Sequence, residues 1–254
     1  MTAIDFTLEL FCRVDDAMPE AKKHPLASLA PSEVVTLGLL QALRGEGQRA
    51  FYRWVVKELK ALFPRLPERT RLFRALQQHA HATQRFLAQP SLFCVCDSYG
   101  IELIHPWREG RSERQIGRKG KSHRRWIVGA KCFVLCNDQG QVVGWECGGA
   151  NLHDTVFHCA LERCEEQVIV LADKGFKAKT GTPVCLKICE KGTWNERMLV
   201  ETLFSMFTNV LHLKKLSHRV WPALRARLAY TMAAFNLCTA WSGEVKLQLA
   251  PFAL

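Results

Sequence analysis

The feature that most constrains this chain is the run Val168-Ile169-Val170-Leu171-Ala172, which ends abruptly in Asp173-Lys174-Gly175-Phe176. Five apolar residues, three of them β-branched, read as a strand buried on both faces, as in a parallel or mixed sheet covered by helices. Asp173 then stands at the carboxyl end of that strand, where open α/β sheets gather ligands and chemistry. A second run, Leu92-Phe93-Cys94-Val95-Cys96, has the same form and is followed by Asp97. Two buried strands that each end in an aspartate point to paired carboxylates, and paired carboxylates suit a divalent metal. The competing reading gives each aspartate only the start of a turn, a common use of Asp after a strand.

Charge narrows the partner. Lys and Arg number 35 against 24 acidic residues, a formal +11 with a pI near 9.3, so a polyanion, and nucleic acid first, is the expected ligand. At 254 residues the chain is long enough for one large domain or two small ones with a sizeable core. It has no run of about 18 apolar residues, and Met1-Thr2-Ala3-Ile4-Asp5 lacks a basic secretory start; the expectation is a soluble cytoplasmic protein with no membrane partner. The eleven cysteines lie mostly in apolar runs (Cys94, Cys96, Cys132, Cys136, Cys185, Cys189) and include no CxxC pair. They read as small buried hydrophobes of a reducing compartment rather than zinc ligands. No nucleotide-binding glycine loop occurs, so ATP is not expected.

Residues 1–89 show helical periodicity and almost no strand signal. Pro31-Ser32-Glu33 opens a helix and Gly45 and Gly47 close it. Phe51, Val55, Leu59 and Phe63 recur every four residues until Pro64, and a third helix spans about Glu68 to Leu87. These elements predict an all-helical N-terminal bundle over 1–89. Arg65, Arg69, Arg71 and Arg74 leave open both a helix-turn-helix DNA-binding role and a solvated face on a supporting bundle.

Residues 90–254 read differently. From Arg108 to Arg125 lies a polar, basic insert carrying Arg108, Arg111, Arg114, Arg118, Lys119, Lys121, Arg124 and Arg125 against Glu109 and Glu113. Three glycines (Gly110, Gly117, Gly120) argue for a loop, and the charge for contact with a phosphate backbone. Trp126 to Cys136 reads as a strand, Asn137-Asp138-Gln139-Gly140 as a turn, and Gln141 to Cys147 as the antiparallel partner. A helix is expected from Asp154 to Glu165, with Asn151 or Asp154 as its cap and Asp154 as an alternative third carboxylate. Val184 to Cys189 makes a fifth strand. Three strands, a helix, two strands and then helices is the element order of the ribonuclease-H-like fold: an α/β mixed five-stranded sheet flanked by helices. In that fold the first and fourth strands are parallel neighbours, so Asp97 and Asp173 would meet at one sheet edge.

A two-metal site needs a third carboxylate. On a helix beginning near Thr193, Trp194, Arg197, Glu201 and Thr208 share one face. Glu201, flanked by Leu199, Val200, Leu203 and Phe204, is costly to bury unless it is paired or metal-bound; Glu196 is the next alternative, and a simple pair with Arg197 the bland one.

With these residues in place the chain resembles the DDE-type insertion-sequence transposases of bacteria. The pieces that carry the resemblance are Cys96-Asp97-Ser98, Gly129-Ala130-Lys131, Ala150-Asn151-Leu152-His153-Asp154, Ala172-Asp173-Lys174-Gly175-Phe176 and the helix from Trp194 to Glu201. Many members carry tyrosine, two residues, arginine, three residues, glutamate, six residues, lysine. Here Arg197 and Glu201 match, Trp194 replaces the tyrosine, and Thr208 stands where the lysine falls. The resemblance implies two Mg²⁺ or Mn²⁺ ions held by Asp97, Asp173 and Glu201, with Arg197 orienting Glu201 or meeting a phosphate. It also implies strand cleavage and strand transfer on double-stranded DNA at terminal inverted repeats and target, by a homodimer paired on DNA. The DNA-facing residues it implies are Lys131, Lys174, the basic insert and Lys215, which lies on the glutamate's face if the helix continues. A nuclease that only hydrolyses DNA and a catalytically inactive DNA-binding relative share the same residues and stay open.

Overall fold

The computed structural model describes residues 2–122, 125–161, 164, 168–189 and 197–243. Helix α1 (Ala3–Asp16) is held at its start by a reciprocal cap: Thr2 Oγ1 accepts from Asp5 N at 3.1 Å, and the Asp5 carboxylate accepts from Thr2 N at 3.0 Å. That satisfies two backbone donors that a helix start otherwise leaves open. Helix α2 (Pro31–Arg44) begins at Pro31 and stops at Gly45, whose φ of 69° is a left-handed conformation that few side chains tolerate. Helix α3 (Gln48–Glu58) buries Phe51 and Val55, with Leu59 and Phe63 continuing the buried row past its end. The third expected helix divides into α4 (Arg69–His79) and a 3-10 turn over Ala80–Phe86.

The sheet has six strands, one more than expected. They are β1 (Phe93–Ile104), β2 (Arg118–Ser122), β3 (Arg125–Asn137), β4 (Val142–Gly149), β5 (Ile169–Ala172) and β6 (Leu186–Ile188). The additional strand is β2. It lies within the basic insert, where three glycines had argued for loop; Arg118 to Ser122 instead pair antiparallel with Gly129 to Arg125. Strand β3 carries β1 on one edge and, end to end on the other, β2 and then β4, all antiparallel. Beyond β1 come β5 and β6, both parallel. The sheet is therefore mixed, with β1 as the strand at which antiparallel pairing gives way to parallel.

Alternation along the strands sorts the side chains into two cores. Val95, Tyr99, Ile101 and Leu103 of β1, with Ala130, Cys132, Val134 and Cys136 of β3, face a large helical layer. Cys94, Cys96, Phe133, Leu135, Val170 and Ala172 face a smaller one, built from the 3-10 turn Asp154–Phe157, the short α5 (His158–Leu161) and Phe176. The expected 12-residue helix after Asn151 is thus mostly a 3-10 turn followed by a single α turn within the described residues.

The large layer is organised by α7 (Trp221–Ser242), buried on almost every side from Leu224 to Thr239. Helix α2 crosses it at Gly38, where an added Cβ would meet the Tyr230 ring at 2.3 Å; glycine there permits the close approach. Tyr230 donates its hydroxyl to Leu76 O at 2.9 Å. Buried Asn236 links three elements, accepting from Val142 N at 2.8 Å and donating to Val142 O at 2.7 Å and Phe86 O at 3.0 Å. Arg227 donates to the carbonyls of Gln41, Ala42 and Leu211, a cation on the negative end of α2; burial pulls its pKa down to about 10. Residues 1–89 accordingly share one core with α7 and the sheet face, and no break in the core falls at residue 89. All cysteines but Cys12 and Cys159 are buried, and burial pushes the Cys136 and Cys238 thiols up to about 12. No helix among the described residues is long and apolar enough to cross a membrane.

Candidate functional site

Strands β1 and β5 pair in parallel with Phe93 opposite Ile169, Cys94 opposite Val170 and Val95 opposite Leu171. The same register continued two residues further sets Asp97 across from Asp173; Asp173 directly follows the last residue of β5, whereas β1 does not end at Asp97 as the sequence suggested but runs on through it to Ile104, paired with β3. Both line a cleft of about 260 Å³, together with Lys121, Ser122, Lys131 and Asp154. Each aspartate is also held by its own backbone: Asp97 Oδ1 accepts from Ser98 N at 2.7 Å, and Asp173 Oδ1 accepts from Gly175 N at 2.8 Å, capping the 3-10 turn Lys174–Phe176. The turn-starting role and the cleft position are thus compatible at Asp173. Beneath them Cys96 is fully enclosed, and burial first, then the Asp97 carboxylate, pushes its thiol well above the ordinary range.

Asp154 does not cap the turn it begins. His153 does, its ring nitrogen accepting from Thr155 N, which leaves the Asp154 carboxylate for the cleft. There Lys131, from β3, donates to Asp154 Oδ1 at 3.0 Å, both side chains being mostly buried. A methyl placed on Gly175 would lie 2.9 Å from Asp154 Oδ2 and 2.9 Å from Asp173 Oδ1, so the two carboxylates face the same small space. That explains glycine after Asp173-Lys174. Asp154, expected from the sequence as a helix cap or an alternative third carboxylate, lines the cleft. The signal was the lysine on the neighbouring strand, 23 residues away, which becomes a partner only once β3 is placed.

Glu201 lies on α6 (Arg197–Asn209). The inward stripe of that helix is Val200, Leu203 and Phe207, and Glu201 is exposed, which corrects the expectation that apolar neighbours bury it. It is not among the residues lining the cleft. Helix α6 packs on β1 with the Phe204 and Tyr99 rings 5.1 Å apart and Tyr99 Oη 2.6 Å from Thr208 Oγ1. Thr208, where a lysine falls in the transposases, therefore has a structural contact of its own. The chain then passes β1 in the same direction, Leu216 N donating to Glu102 O and Glu102 N to Lys214 O. Glu201, seven residues before Thr208, lies back along the helix by about 10 Å. Trp194, Glu196 and the side chain of Arg197 lie outside the described residues.

Helix α6 ends at Asn209, and His212 takes a φ of 54°, so Lys215 is not on a continued helical face. Its ammonium instead sits 3.7 Å from Glu102, which also receives Arg125 at 3.2 Å. Lys214 lies 4.9 Å from the Tyr99 ring centroid; desolvation lowers its pKa, assisted by the Arg125 charge. Of the basic insert, Arg108, Arg111, Arg114, Arg118, Lys119, Lys121 and Arg125 are exposed, as is Lys174; Arg124 lies outside the described residues. Arg118, Lys119 and Lys121 make β2 an exposed basic edge of the sheet, and Lys121 is also among the residues lining the cleft.

Among the described residues no three carboxylate, imidazole or thiol groups are drawn together as tightly as a bound ion requires. The donor chemistry still fits a hard divalent cation, since Asp97, Asp154 and Asp173 supply only oxygen. Comparison with family models, curated proteins and solved structures returned no significant match.

Proposed function

We propose that the chain is a DDE-type transposase, cutting and joining DNA strands at the ends of an insertion sequence by metal-dependent phosphoryl transfer. The observation that carries this reading is the parallel register of β1 and β5, which sets Asp97 and Asp173 together on a cleft that also holds Lys121 and Lys131. The strand order β4-β3-β1-β5-β6, antiparallel on one side of β1 and parallel on the other, supports a ribonuclease-H-like catalytic part over 90–254, with the helices of 1–89 packed against it.

Asp97 and Asp173 would hold Mg²⁺ or Mn²⁺, joined by Glu201 from α6 or by Asp154 from within the cleft. Bound ions of this kind supply Lewis-acid activation of an attacking hydroxyl and stabilise the departing oxygen. The chain's own residues do the rest. Backbone donors on Ser98 and Gly175 fix the orientation of the two aspartates. Lys121 offsets phosphate charge at the rim, and Lys131 pairs with Asp154 where it faces Asp173. Such prepositioning and charge compensation are where the protein contributes to phosphoryl transfer. The exposed basic edge binds duplex DNA through its backbone, two copies of the chain pairing two ends.

Asp97→Asn and Asp173→Asn should each abolish Mg²⁺-dependent nicking of end-containing duplex and leave DNA affinity unchanged or slightly raised, because removing a negative charge beside phosphates strengthens their attraction. Parallel loss of binding and cleavage in a folded variant would sink the assignment. Joined strand-transfer products separate a transposase from a hydrolytic nuclease. One observation favours a second reading, a DNA-binding relative without activity: the position of the expected lysine is occupied by Thr208, engaged with Tyr99. DNA binding with no metal-dependent nicking under any condition would establish it.

A further inference from the structure

Helix α1 is apolar on two sides. Phe6, Leu10 and Val14 face the core, while Ile4, Leu8 and Cys12, offset from them by two positions, lie on the opposite side, Ile4 44 % and Leu8 46 % exposed. Packing on one core needs only one such stripe, and a row of exposed apolar residues calls for a reason where a single one does not. The same helix is acidic within a basic chain. It carries Asp5, Glu9, Asp15 and Asp16 against Arg13 alone, and Arg13 is engaged with Glu9 at 2.9 Å and with the Trp241 ring at 4.4 Å. Asp15 and Asp16 are exposed and follow Cys12 by three and four positions, so the outward row ends in two carboxylates. A groove of about 310 Å³ lies between the segment leading into α2 and helix α4. Leu26, which is 86 % exposed, Leu29, Val34 and Ala75 line it, together with Arg71 and Arg74, exposed one turn apart on α4. No carboxylate lines the groove, and neither arginine is ion-paired among the described residues. An apolar row closing on two carboxylates and an apolar groove edged by two arginines match in shape and in charge. The row points away from the core of its own copy, so the groove it fits is that of another.

We propose that this chain pairs with a second copy of itself by laying the outward face of α1 in the other copy's groove, with Ile4, Leu8 and Cys12 on the apolar wall and Asp15 and Asp16 at Arg71 and Arg74. Made in both directions, the contact is two-fold and closes on itself, which keeps the association to a pair. Helix α1 is about 21 Å long and about 10 Å across, so each contact is small beside the roughly 1,200 Å² that stable interfaces bury. The pair is therefore a weak one that forms as concentration rises. It concerns the free protein and does not depend on the reading of the cleft, so the two stand or fall separately.

The test is sedimentation equilibrium of the full chain, without DNA, over a wide range of concentration. Wild type should rise from 28.9 kDa toward twice that mass, and Leu8→Lys should stay at the mass of one chain. Arg71→Glu with Arg74→Glu, and separately Asp15→Lys with Asp16→Lys, should each weaken pairing by about tenfold or more, because like charges then meet. Cations in the last turn of α1 suit its dipole, so the second variant keeps its helix. An equimolar mixture of these two variants should pair about as tightly as wild type, since one contact is then the native one and the other has both charges exchanged. A wild type that stays at the mass of one chain at every soluble concentration overturns the proposal. So does pairing that survives the arginine changes, or a mixture that fails to recover while both variants are folded by circular dichroism.

Discussion

The core around α7 and the cleft that holds Asp97 and Asp173 treat polar groups in opposite ways. Around α7, Arg227, Tyr230, Thr231 and Asn236 are buried and bonded to backbone from other parts of the chain or from their own helix. At the cleft, Asp97, Asp154 and Asp173 stay partly in water, and like charges are kept close together. Buried polar groups with partners favour one arrangement of the helices, since any other leaves them unsatisfied. Clustered carboxylates oppose folding mildly and make sense only toward a cation or a reaction. If the proposed function resides at the cleft, substitutions there and around α7 should separate stability from activity.

The largest expected effect tests that separation directly. Phe207→Ala empties a sealed position where that ring meets Phe235 edge-on and should cost about 4 kcal/mol in urea unfolding. Asp97→Ala should change stability by less than about 1 kcal/mol while abolishing cleavage; comparable losses from the two would erase the contrast. Next, Asn236→Ala leaves Val142 N–H and Phe86 C=O without their partner and should cost about 2–3 kcal/mol, with DNA binding per folded molecule unaltered.

A pH experiment sharpens the same contrast. Desolvation first, and then the Arg227 charge, pull the pKa of His218 down to about 4. The unfolded chain therefore binds a proton that the folded chain refuses between about pH 6.5 and 4. Stability from this group is complete above pH 6.5 and is lost as pH falls toward 4, by about 3 kcal/mol. His218→Gln should flatten that part of the stability profile, as followed by thermal melts across pH. The smallest stability effect belongs to the basic edge. Neutralising Arg118, Lys119 and Lys121 together should move stability by about 0.5 kcal/mol or less. The log–log salt dependence of duplex binding should flatten by about 0.9 per lost phosphate contact. An unchanged slope would return β2 to a solvated edge and shift DNA binding to the helices of 1–89 or to Lys214 and Lys215.

Much of the architecture was legible because local rules wrote it. Pro31 and Gly45 bound α2, the four-residue spacing of Phe51, Val55, Leu59 and Phe63 marks a buried row, and Asn137 to Gly140 turns β3 into β4. The strand at 118–122 was hidden because β2 has almost no apolar residues. It pairs through backbone, with Lys and Arg outward, and glycine and charge look the same in a loop as on an exposed edge. Glu201 was misjudged for a related reason: sequence neighbours on a helix point in different directions, so Val200 and Leu203 are buried while Glu201 between them is exposed.

By itself the sequence determined that buried strands lead into Asp97 and Asp173, that the chain is strongly basic, and where most helices start and stop. These are properties of short windows, set by caps, glycines and hydrophobic period. Only the tertiary structure decided that Asp154 joins the cleft rather than capping its own turn, that Lys131 is its partner, that Thr208 belongs to Tyr99, and that the first 89 residues share a core with α7. Each of these is a contact between residues far apart in sequence, and such contacts depend on strand register and helix placement. No local pattern encodes those, because they are settled by packing the whole core at once.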